Sequence, residues 1–129
     1  MKKTALLIAA ILVLVALTGC NMEKANNPEL INKALDKATE MTQQAINNKD
    51  VKLARSLWGQ ISEMGVKVNE LGEKKLSESI GKLASTYVHL VEYIEKKDDK
   101  QLQVFNEKYN QAVSELKTQI ELYKKRTIK

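Results

Sequence analysis

The stretch Val68-Asn69-Glu70-Leu71-Gly72-Glu73-Lys74-Lys75-Leu76 separates two readings of the whole chain. Upstream, an apolar stripe runs through 54, 58, 61, 65 and 68. Downstream, another runs through 76, 80, 83, 87, 90 and 94. Both repeat at threes and fours, the spacing of one helix face. Across the stretch the steps 68, 72, 76 and 80 are all fours, which slips the phase. A turn at Gly72 before three charged residues produces such a slip, and so does a stutter in one long bent helix. The glycine favours the turn. It makes the chain an all-α, up-down-up-down four-helix bundle, with a three-helix bundle containing one long bent helix as the alternative.

The outer segments fit the same scheme. Asn27-Pro28-Glu29 reads as a helix start, with Asn as N-cap and an early acid at the positive dipole end. Leu30, Ile31, Ala34, Leu35, Ala38, Met41, Ala45 and Ile46 form its stripe, and Asn47-Asn48 breaks it. Asp50 is placed to cap the second segment, whose face carries Ala54, Leu57, Trp58, Ile61, Met64, Val68 and Leu71. Gly65, on that stripe, allows a partner helix to approach closely. The third segment ends at Lys96-Lys97-Asp98-Asp99, where Asp98 and Gln101 have capping-box spacing. The fourth stripe is Leu102, Phe105, Tyr109, Ala112, Val113, Leu116, Ile120 and Tyr123. A shift of 48 residues lays Leu35 on Leu83, Ile46 on Ile94, Lys49 on Lys97, Asp50 on Asp98 and Leu57 on Phe105. This is either a duplicated hairpin or the likeness of any two capped hairpins. The same segments also suit half of a dimeric bundle, so the oligomeric state stays open.

Composition agrees. The 129 residues are 43% apolar with only 5% aromatic, five Gly and one Pro, which disfavours an all-β fold and a Gly-rich phosphate-binding domain. One Cys and one His exclude a disulfide scaffold and a multi-ligand Cys/His zinc site.

The N-terminus is a different kind of sequence. Met1-Lys2-Lys3-Thr4 is a short positive region, followed by thirteen apolar residues from Ala5 to Leu17. A bilayer span needs about 20, so this run is better suited to the apolar part of a secretory signal. Leu17-Thr18-Gly19-Cys20 then resembles the lipobox of bacterial lipoproteins. The resemblance implies that Leu17, Thr18 and Gly19 are read by the signal peptidase and that the Cys20 thiol receives a diacylglyceryl group. It also implies that the mature chain starts at Cys20, on the cell membrane or outer membrane, facing the periplasm or the cell exterior. Asn21 after the Cys favours the outer membrane in a Gram-negative cell. The domain expectation is a signal peptide over 1–19, a lipidated Cys and polar tether over 20–27, and the bundle over 28–129. Seven extended tether residues reach about 23–25 Å, keeping the bundle near the membrane.

Charge adds one candidate surface. Without Lys2 and Lys3 the chain has 19 basic against 16 acidic residues, +3, and residues 117–129 alone contribute +4. An up-down bundle brings both chain ends together, so Lys124, Lys125, Arg126 and Lys129 are expected beside the lipid, where anionic headgroups attract them. The competing reading is that the tail only complements a helix C-terminus. The small charge and the lack of basic–aromatic interleaving speak against nucleic acid as a partner.

Chemistry is sparse. His89 is expected to be exposed, with Glu92 one turn on, and no cofactor or metal is expected: a di-iron bundle needs two Glu-x-x-His motifs, and Cys-x-x-Cys-His for haem is absent. The serines Ser56, Ser62, Ser77, Ser79, Ser85 and Ser114 fall on or near polar faces with no second His to activate them, so an enzyme is not expected. Trp58 reads as core; Tyr87, Tyr109 and Tyr123 read as core or core-edge residues with hydroxyls at the rim; Tyr93 reads as exposed. The Ala45-Ile46-x-x-x-Asp50 and Tyr93-Ile94-x-x-x-Asp98 turns loosely resemble those of small membrane-anchored bacterial helical proteins of unknown function. The expected role is a lipid-anchored envelope module that binds another envelope protein. The alternatives are an immunity or exclusion lipoprotein, or a carrier of a small ligand or metal.

Overall fold

The computed structural model describes residues 28–127. Four helices follow one another: α1 Pro28–Asn48, α2 Val51–Glu70, α3 Lys74–Lys96 and α4 Asp99–Thr127. The turn at Gly72 is present. Leu71 closes α2, Gly72 has φ +85°, and its N–H donates to Asn69 O at 3.0 Å. Glycine adopts that conformation without the Cβ clash other residues suffer. Leu71 is thereby a half-buried cap rather than a full member of the stripe.

The other two turns use lysine where glycine is usual. Lys49 and Lys97 sit at φ 50° and 53°, and the 48-residue shift superposes them. After α1, Lys49 N–H donates to Ile46 O and Asp50 N–H to Ala45 O, the paired bonds of a Schellman ending. Asp50 then caps α2, its Oδ1 accepting from Leu53 N at 3.1 Å. The capping box expected at Asp98 is not formed. Asp98 Oδ1 accepts from Lys100 N, while the Gln101 side chain turns away to His89 at 2.8 Å. The Asn27 N-cap lies outside the described residues.

Short turns force antiparallel neighbours, and the helices close a ring in which α2/α3 and α3/α4 are the tightest pairs. Gly65 explains one of them. A Cβ there would stand 3.3 Å from Ile80 Cγ2, and Ser77 Oγ donates to Gly65 O at 2.7 Å across the same seam. The ring packs one core from all four helices, centred on Leu35, Leu57, Ile61, Ile80, Leu83, Tyr87, Leu90, Phe105 and Leu116. Trp58 is at its edge, half-buried rather than enclosed, because its helix places it on the flank of the stripe. Tyr93 packs half-buried against the core instead of standing exposed. Ser79 is likewise buried, not on a polar face.

Hydroxyls hold α1 in register. Tyr87 is fully buried, and its OH meets Thr42 Oγ1 at 2.6 Å. Thr42 Oγ1 donates to Ala38 O at 2.6 Å, leaving the tyrosine as donor to the threonine. Tyr109 OH meets Thr39 Oγ1 at 2.9 Å. These hydroxyls are not at the rim as the sequence led us to expect, since α1 crosses over them and supplies threonines as partners.

Burial, and after it the neighbouring Tyr109, pushes the Tyr87 hydroxyl well above the ordinary value of 10.0. The folded state therefore holds this proton more tightly than the unfolded state. The contribution is intact below pH 10 and is lost as pH rises beyond it. Urea melts at pH 9 and pH 11 are expected to show Tyr87→Phe losing less stability across that interval than the parent. Equal losses would contradict the buried proton.

Candidate functional site

Alternating helices place the start of α1, the α2–α3 turn and the end of α4 at one end of the bundle. The ion pair from Arg126 at the end of α4 to Glu73 in the α2–α3 turn closes that end. Arg126 also lies 5.8 Å from the ring centroid of Tyr123, a side chain buried beneath it. The candidate tail residues therefore differ in kind. Arg126 pins α4 to the turn, Lys124 is half-buried, and Lys125 is exposed; Lys129 lies outside the described residues, as do Leu17, Thr18, Gly19 and Cys20. Desolvation raises the Tyr123 hydroxyl, and the Glu73 carboxylate adds to this while Arg126 opposes it.

Two cations at this end were not singled out by sequence. Lys74 and Lys75 occupy the first turn of α3, where the helix dipole is positive and where no acid is present. Both are exposed. Lys75 lines an open polar hollow of about 350 Å³ between α3 and α4, opposite Thr118 and Gln119. A second hollow of about 260 Å³ continues it along the seam, and the Lys82–Glu115 ion pair at 3.4 Å borders both. Leu122, one turn past Thr118 on α4, is one of two large apolar residues that stand exposed among the described residues; the other is Val66 on α2.

No family model, no curated protein and no solved structure matches this chain.

His89 is at the opposite end. It is half-buried and hydrogen-bonded to Gln101, not exposed, because α4 begins directly over it. Among the described residues no group of three or more His, Cys, Asp or Glu side chains is placed to hold a metal, and no helix is long and apolar enough to cross a membrane. The signal that separates Lys74 and Lys75 from ordinary surface lysines is present in the sequence: two cations two and three residues after a helix-ending glycine stand at the wrong end of the helix that follows.

Proposed function

We propose that this chain is a lipid-anchored protein of the bacterial cell envelope, held at the bilayer by an acylated Cys20 and acting by binding another envelope component. One observation carries the reading: a positive start, a thirteen-residue apolar run and Leu17-Thr18-Gly19-Cys20 occur in that order. Two or three acyl chains provide stable attachment where one is marginal, since each buried CH₂ contributes about 0.8 kcal/mol. Confinement to a thin layer then raises the effective concentration of the bundle for any partner in the same layer.

The test is the mass of the N-terminal peptide from protein extracted from bacterial membranes. A peptide starting at Cys20 and carrying a diacylglyceryl adduct is expected. Cys20→Ser should leave helical content unchanged and abolish labelling by radioactive palmitate. Label retained by the Cys20→Ser protein overturns the anchor. Crosslinking in intact cells, followed by identification of the captured envelope protein, then addresses the partner.

A further inference from the structure

We propose that Lys74, Lys75 and Lys125, with the exposed Leu122 at the same end of the bundle, form a second contact with the bilayer that binds anionic phospholipid headgroups and stands the bundle on its turn end. The inference rests on the reading of Cys20 as the anchor, which brings this end within a tether's length of the surface.

The first argument is a local conflict. Lys74 and Lys75 face the positive end of the α3 dipole with no acid in that turn, and neither forms an ion pair with a described residue. Each placement opposes helix stability, and the one acid at that helix start, the N-cap Glu73, is already paired with Arg126. Local rules broken without internal compensation mark functional surfaces. An anionic surface outside the protein supplies the missing countercharge.

The second argument is juxtaposition. Lys75 shares a hollow with Glu78, Thr118, Gln119 and the Lys82–Glu115 pair, and Leu122 follows Thr118 one turn later on the same helix, with Lys125 three residues beyond. Leu122 is 42% exposed, so an apolar side chain stands among cations at the end nearest the tether. Apolar residues flanked by Lys are what an interfacial contact uses: the side chain enters the headgroup boundary and the ammonium groups remain at the phosphates. Nearby acids weaken the field only in part. Glu73 is neutralised by Arg126, and Glu70 lies 4.0 Å from Lys67; the other acids near this end are Glu29 at the start of α1, Glu78 and Glu121.

The full chain, extracted from membranes in neutral detergent, is reconstituted into phosphatidylcholine vesicles or into vesicles containing one-third phosphatidylglycerol. Lysine acetylation is then followed residue by residue by mass spectrometry. Lys74, Lys75 and Lys125 are expected to react about fivefold more slowly on the anionic vesicles, and high salt should remove the difference. The exposed Lys96, Lys97 and Lys100 at the far end serve as the internal reference and should react alike on both. The double variant Lys75→Glu/Lys125→Glu, at two exposed positions, should lose the protection of Lys74. Equal rates on both vesicles overturn the proposal, as does equal slowing of the far-end lysines, which is indiscriminate adsorption. Protection already present in detergent also overturns it, because a second protein then covers the face. Failure of the anchor is read separately, from the mass of the Cys20 peptide.

Discussion

Replacing Leu90 with Asp is expected to yield a chain with no cooperative thermal transition. Leu90 is on the α3 stripe and has no exposed surface. A carboxylate there loses its hydration without gaining a partner, and the position also loses the packing of the isobutyl group. Substitutions of this kind exceed about 4–5 kcal/mol, against a total stability of about 5–15 kcal/mol for a domain of this size. Far-ultraviolet circular dichroism on heating checks the result. A melting temperature close to that of the parent would sink the assignment of this face to the core.

Phe105→Ala should destabilise nearly as much by a different route. Phe105 is 1% exposed and packs against Tyr87 and Tyr109 at centroid distances of 5.6 and 5.1 Å; those two tyrosines meet edge-on at 5.9 Å. Its removal leaves a cavity bounded by two rings whose hydroxyls are tied to Thr42 and Thr39 on α1. The rings cannot collapse into the space without giving up those bonds, so little of the volume is recovered. Deletion of a buried Phe costs about 3–5 kcal/mol, which lowers the melting temperature of a domain this small by more than about 10 °C. A shift of only one or two degrees would mean that the cluster repacks freely and that the hydroxyl bonds do not hold α1 in register.

Local signals proved dependable where one residue settles a backbone outcome. Gly72 ends α2, Asp50 caps the same helix at its start, and Gly65 lets α3 approach α2, because each depends on the chain within a few residues or on the lack of a Cβ. Side chains that answer to a second helix were harder to read. Gln101 had the spacing of a capping box but bonds His89 on the preceding helix. Arg126 belongs to the expected basic tail, and only the folded chain shows its pairing with Glu73, more than fifty residues away.

The proposed membrane anchor rests on sequence alone: an apolar run, small residues and a cysteine would be read by processing enzymes from the extended chain, with no tertiary contact required. Helix number and the identity of most core positions were equally legible, since the period of 3.6 is a property of each segment by itself. Only the assembled bundle decided that Thr39 and Thr42 would serve buried tyrosines and that Trp58 would lie on the rim. The assembly also decided that Lys74 and Lys75 would join Leu122 and Lys125 at one end. Those outcomes depend on the rotation of each helix about its axis and on which helices become neighbours. Both are set by the fit of side chains across the seams, which no single segment contains.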